Sequence, residues 1–365
     1  MKTTLPINAE IHSDQPSNQH QRMQTSTRLH RLCAQSSGLR FLRYSTSLLA
    51  LLGLGLLAAG LARAETLWWT NTTGGNWNVA ANWEPNRVPA AGDEVIITNS
   101  GTYTVTLNAS ASPARLILGG DSGIQTLAIP GSTLTLQTEG WVIGNGVLVL
   151  SGGTLTGTGT LTVSNVMSWT EGTMSGGGAT VIAAGATLNI SGSAQKNLDQ
   201  RTLRNLGTAV WSGSGKIFVQ NGAPLRNEAG GVFEVQNDVV YDQDNWTSPG
   251  SFHNAGLFRK TAGAGTTTIQ TPVYNTGTIE VAAGTVAGTA VFNNDGVVQA
   301  TVGDLTLSGG GSSSGQFELA TNQVVRFTGG AHTLGTNSSW AGAGLCQIAG
   351  ASVSVAAGLG MERLA

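Results

Sequence analysis

Apolar residues along most of this chain fall in short runs with a period of two, broken every few residues by Gly, Asn or Ser. In residues 151–163, SGGTLTGTGTLTV, and 178–190, GATVIAAGATLNI, Thr or Ser alternates with apolar residues. Such alternation puts successive side chains on opposite faces of a strand, with Leu188 and Ile190 pointing inward. Other runs, such as Ile279–Val281 and Val297–Val298, last only a few residues, end in Gly-containing corners and carry no helical period. The pattern predicts strands throughout.

Aligning the asparagines exposes a repeat. Five segments, LRNLGTAVW, LRNEAGGVFEV, FHNAGLF, VYNTGTIEV and FNNDGVV, place Asn205, Asn227, Asn254, Asn275 and Asn294 at intervals of 22, 27, 21 and 19 residues. A unit of that size cannot bury its apolar face alone, but stacked units give each strand a parallel neighbour and a shared core. The spacing therefore predicts a parallel β-helix, with about 14 coils at about 4.8 Å each. The five asparagines are expected to form a ladder of amides along the rod, each at a sharp left-handed corner. Gly207, Gly230, Gly256, Gly277 and Gly296, just beyond them, are expected to release the chain into the next strand without a Cβ clash.

One segment departs from this pattern. Residues 47–62, SLLALLGLGLLAAGLA, form an apolar run preceded by Arg40 and Arg43 and followed by Ala62-Arg63-Ala64. That reads as a secretory signal peptide cut after Ala64, with Met1 or Met23 as the start, and predicts a secreted or cell-surface protein. The chain then divides into a signal peptide, 1–64; an N-terminal cap of the solenoid, 65–105; coils, 106–349; and an irregular or truncated tail, 350–365.

Composition narrows the choices. The 365 residues include 52 Gly, about twice the usual share, and only 10% charged residues against about a quarter in ordinary domains. Of the 18 Lys and Arg, 7 precede Glu65, as do 2 of the 20 acids; the 11 bases and 18 acids that remain give a net charge of −7. A basic surface for nucleic acid is not expected. Cys346 is alone beyond the leader, so neither an internal disulfide nor a cysteine zinc site can form there.

The segments FHNAGLFRKTAGAGTTTI, VYNTGTIEVAAGTV, FNNDGVVQATVGDLTLSGGG and SGQFELATNQVVRFTGGAHTL resemble the coils of exported bacterial β-helix proteins of the adhesin and autotransporter-passenger type. The opening WWTNTTGGNWNVAANWEPNRVPAAGDEVII is similar to the start of many such proteins. The resemblance implies a right-handed parallel β-helix and a surface or secreted location, and it brings no catalytic motif. No terminal barrel, sorting signal or apolar anchor is recognisable after Gly350, and GLGMERLA breaks the repeat, so the chain is expected to be a fragment, or to be released or held by another component.

Candidate chemistry is sparse. Trp69, Trp77 and Trp83, with Trp68, are expected to cover the first coil, although aromatics beside Asn76, Asn78 and Asn82 could also stack on sugars. The longest interval holds VYDQDNWTSPG and predicts a projecting loop with Asp238, Tyr241, Asp242, Asp244 and Trp246. Asp238, Asp242 and Asp244 are a weak candidate calcium loop, and acidic catalysis on a polysaccharide is the rival use. His253 and His332 are expected in coil positions without a nucleophile partner. Thr-rich strands raise ice binding, an expectation weakened because no T-x-T was evident at the coil period. Neither cofactor nor metal is required. The expected function is non-enzymatic, structural or adhesive, with an extracellular glycan or envelope component as partner; a carbohydrate-active enzyme or glycan-binding module is the alternative.

Overall fold

The computed structural model describes residues 64–357 except 245 and 247. The expected leader, all but Ala64, and the last eight residues of the expected tail lie outside the described residues.

The described chain is a parallel β-helix with three faces and about 12 turns. Fifteen strands form the first face. Their pairings are parallel, except that Trp83–Glu84 runs antiparallel to Thr66–Trp69. The second face runs from Gly75–Asn76 to Ser339–Gly342, and the third from Thr133–Thr135 to Leu345–Ile348. Two long strands, Gly146–Thr156 and Val166–Ser175, bend from the second face into the third, with a break in pairing register near Leu150 and Ser151. The first strand of the third face is Thr133–Thr135, preceded only by a single bridge from Ala111 to Leu134, so the earliest turns are incomplete and the turns fall short of 14.

Alternation along each strand builds the core, as periodicity predicted. Thr187–Ile190 and Thr278–Val281 both read half-buried, buried, half-buried, buried, and Leu188 and Ile190 are fully enclosed. Because every turn repeats the pattern, like positions stack in rows. One inner row of the second face runs Leu188, Ala209, Phe233, Phe258, Ile279, Val298 and Phe317. Within it the rings of Phe233 and Phe258 lie nearly parallel at 6.0 Å. A buried Phe side chain contributes roughly 1.5–3 kcal/mol, so a continuous row is a large part of what holds neighbouring turns together.

Corners depart from expectation in one respect. The ladder asparagines close their strands without a positive φ; among the described residues the left-handed non-glycine positions are Gln200, Asn221 and Asn322, at other corners. Glycines beyond the ladder are needed for close approach instead. A Cβ on Gly277 would lie 2.2 Å from the Gly256 carbonyl oxygen, and one on Gly296 would lie 2.1 Å from that of Gly277. In the second repeat the matching residue is Gly231, not Gly230, which has a φ of +82° and open space around it. Gly296→Ala is expected to cost about 3 kcal/mol, read as a lower urea midpoint, because rigid backbone faces the added carbon.

The threonines also stack more regularly than the sequence suggested. Thr133 and Thr135 pair in register with Thr154 and Thr156, so one T-x-T stacks on another across two turns of the third face, and the next turn presents Thr173 and Ser175.

Candidate functional surface

The asparagine ladder forms and is internal. Nδ2 of Asn205 donates to Oδ1 of Asn227 at 2.8 Å, Asn227 to Asn254 at 2.8 Å, Asn254 to Asn275 at 2.7 Å and Asn275 to Asn294 at 2.7 Å. All five are at most 1% exposed. Asn205 and Asn254 also donate to carbonyls of the next turn, Val232 at 2.9 Å and Thr278 at 2.8 Å, while Asn227 donates to the Gly231 carbonyl of its own corner at 3.3 Å. The row ends where Asn294 donates to the Ser313 hydroxyl at 3.3 Å. At the other end Oδ1 of Asn205 has no protein donor, since the preceding rung carries Ile182.

The three aspartates of the longest interval are not brought to one point. Asp238 faces the buried Lys260 ammonium at 2.7 Å and accepts from the Gly265 amide; Asp242 pairs with Lys216 at 2.6 Å; Asp244 accepts from the Trp246 amide at 2.8 Å. Among the described residues no group of three His, Cys, Asp or Glu side chains is placed to share a metal ion. The expected projecting loop is also smaller than the sequence implied. Val240–Gln243 is a strand of the third face, and Tyr241 is an interior residue whose hydroxyl, pushed up by burial, finds no partner. Trp246, 95% exposed, lies in the segment that leaves the strand.

At the N-terminal end, Trp69, Trp77 and Trp83 are at most 1% exposed, with Trp83 edge-on to Trp69 at 5.0 Å and to Trp77 at 4.9 Å. Burial removes these three from any contact with a sugar; Trp68 remains 45% exposed. Asn82 is engaged internally, accepting from Asn71 and donating to the Asn76 carbonyl.

Charge is distributed along the rod mostly as local pairs, including Arg115 with Glu94 and Glu139, Arg204 with Glu228, Arg259 with Glu234 and Arg326 with Asp304. The Gln236 amide, with Arg259 and Thr261, holds Glu234 below the usual carboxylate range, and Lys260 does the same for Asp238. A general acid needs the opposite shift. Among the described residues, Arg226 is the solvent-facing cation that makes no ion pair.

Arg226 belongs to an outward row of the first face. Strand pairing sets Arg204, Arg226, His253, Tyr274 and Asn293 on successive rungs. The rings of His253 and Tyr274 stack at 4.9 Å and 16°, and Tyr274 is 41% exposed. Partial burial, aided by Arg226, holds His253 below its ordinary pKa, with Glu228 opposing. His253 Nε2 also lies 3.0 Å from Ser251 Oγ, a partner that the sequence reading missed and that the S-x-H alternation on one strand could have signalled. A triad needs an acid to orient the histidine, and the nearby Glu228 is held by Arg204. His332 is interior, 3.0 Å from the Gly329 carbonyl, and burial pushes the Cys346 thiol up to about 12. The outward aromatic and cationic row was not legible as a unit until register was known.

No protein-family model matches the chain, and no solved structure matches it. In an alignment 199 residues long that covers 48% of this chain, it is 29% identical to a protein named Adhesin BmaC autotransporter, of Brucella suis biovar 1 (strain 1330). The match covers 5% of that protein's length, so this chain corresponds to a small part of it. Among the described residues no helix is long and apolar enough to cross a membrane. The parallel solenoid and this similarity agree in describing a β-helix protein like an adhesin or an autotransporter passenger.

Proposed function

We propose that the chain is an exported, non-enzymatic element of a bacterial surface that adheres through its first face to an extracellular glycan or cell-envelope component. The observation that carries this reading is similarity to a protein named as an adhesin in a chain whose fold is a parallel solenoid. A rod of stacked turns presents the same kind of position again and again at about 4.8 Å, which suits contact with a long repetitive partner. The row from Arg204 to Asn293 supplies the contact chemistry: an unpaired guanidinium, a stacked aromatic pair and an amide. Aromatic faces and planar guanidinium groups combine apolar area with directed hydrogen bonds, and such residues dominate many interfaces.

A carbohydrate-active enzyme on the same fold would need acids and bases gathered in one cleft. The paired, dispersed carboxylates described above favour the adhesive reading instead.

The test is binding of the purified full chain to a glycan array and to bacterial and host cell surfaces. Arg226→Ala and Tyr274→Ala are each expected to weaken binding about tenfold with the fold unchanged by circular dichroism. An array and cell panel that stay silent with folded protein would replace adhesion by a purely structural role. Turnover of a polysaccharide by the same sample would favour the enzyme.

A further inference from the structure

Around Asp93 the chain gathers charges in a way that an adhesive role does not require. The Asp93 carboxylate is 3% exposed and lies just before the strand Glu94–Ile97. It accepts from the Arg87 guanidinium at 2.7 and 3.0 Å, from the Ala90 amide at 2.7 Å and from the Glu65 backbone nitrogen at 3.0 Å. Arg87 also holds the Glu65 carboxylate at 2.9 Å. One cation therefore serves two carboxylates. The Glu65 nitrogen that completes the set is the first backbone nitrogen after Ala62-Arg63-Ala64, the small-residue site that ends the expected leader.

We propose that Asp93 is a receptor for the amino terminus released by cleavage between Ala64 and Glu65, so that removal of the leader fastens the first turn of the solenoid. In that step a leader peptidase of the exporting cell adds water across the Ala64–Glu65 amide. Ala64 leaves as a carboxylate, and the Glu65 nitrogen becomes an amine that takes up a proton. The new ammonium stands where the amide nitrogen already stands, 3.0 Å from Asp93 Oδ1. A neutral donor is replaced by a charged one, the stronger kind of hydrogen bond. Two cations, the ammonium and Arg87, then face two carboxylates, Glu65 and Asp93. Glu65 is already seated, because its carbonyl accepts from the Glu94 amide at 2.9 Å. On the neighbouring strands Arg115 pairs with Glu94 at 3.4 Å and with Glu139 at 3.1 Å, and Glu84 stands opposite Trp68.

This inference rests on the exported reading, and the test separates the two. The full chain with its leader is produced in an exporting bacterial host, the exported protein is sequenced from its amino terminus, and its thermal unfolding is compared with that of a variant carrying one Gly inserted between Ala64 and Glu65. In the variant the Glu65 nitrogen stays a neutral amide and the ammonium moves one residue outward. The natural chain is expected to begin at Glu65 and to have a Tm about 2–4 °C higher at pH 7. The ammonium, next to Asp93, has its folded-state pKa raised above the ordinary value of about 7.7–8.0. Its contribution is therefore complete below that ordinary value and disappears as pH rises through the raised one, a loss that the Gly variant does not share. In an Asp93→Asn background the insertion should no longer change Tm. A chain that keeps its leader overturns the exported reading and the inference with it; an exported chain that starts elsewhere overturns the inference alone. Equal Tm values and pH profiles with Glu65 as the first residue overturn the Asp93 receptor alone.

Discussion

Asn254→Ala is expected to destabilise the solenoid by about 3–5 kcal/mol, while Asn205→Ala costs about 1–2 kcal/mol. The two residues have the same chemistry and the same burial, and differ in where they stand in the row. Removing the Asn254 amide takes a partner from three groups: the Nδ2 of Asn227 keeps only the longer bond to the Gly231 carbonyl, and the Oδ1 of Asn275 and the Thr278 carbonyl each lose a donor. An enclosed polar atom without a partner bears the full cost of desolvation, which is why the interior position is the expensive one. Removing Asn205 orphans fewer groups and deletes an acceptor that is already unsatisfied. Urea unfolding followed by far-ultraviolet circular dichroism measures both. Hydrogen exchange in the turns flanking residue 254 locates the damage if the repeat array unfolds in stages. Equal costs for the two variants would mean that the amides act as packing volume and not as a connected row.

The second large effect is expected at Arg201, where Arg201→Met should cost about 3–5 kcal/mol and Arg201→Lys a large part of that. This guanidinium is fully enclosed and meets no carboxylate. Its Nε donates to the Thr180 hydroxyl at 2.9 Å, one terminal nitrogen reaches the Gly157 and Ser175 carbonyls, and the other reaches those of Gly159 and Ala179 at 3.0 and 2.7 Å. Burial pushes its pKa down to about 10, which still leaves it charged at neutral pH. The acceptors belong to two successive turns and Arg201 to the next, so one planar side chain ties three turns through their corners. A thioether of similar length fills the space and satisfies none of those oxygens; an ammonium cannot span them. Chemical denaturation of the three proteins gives the order, and a methionine variant as stable as the parent would show that the carbonyls find other donors.

The strands, the solenoid and the asparagine row were legible because each depends on a short-range rule repeated many times. Period-two alternation marks a strand wherever one side is buried, and Asn at intervals near 20 residues marks a turn. What could not be read are places where one turn differs from the next. Tyr241 looked like part of a polar excursion because aspartates flank it, yet the strand continues through it and those aspartates sit beside lysines from other turns. Arg201, Lys196 and Lys260 would be assigned to solvent by type, but all three are enclosed, their charges met largely by backbone oxygens. Corner carbonyls are positioned by the stacking itself, and local sequence carries no sign of them. The Arg226, His253 and Tyr274 row belongs to the same class: residues some 20 positions apart become neighbours only once the turns are in register.

The amide row has a sense of direction. Every member donates toward the C-terminal turn, so the side-chain dipoles add head to tail. At the far end the Ser313 hydroxyl takes the last donor and passes its own proton to the Asn294 carbonyl, which closes the series. Beside Ile182 the first oxygen is still open. Duplication of a coil is the natural way for such a gene to grow, and here growth is favoured on one side: a copied asparagine coil placed ahead of Asn205 joins the existing series, whereas one placed after Ser313 must begin another.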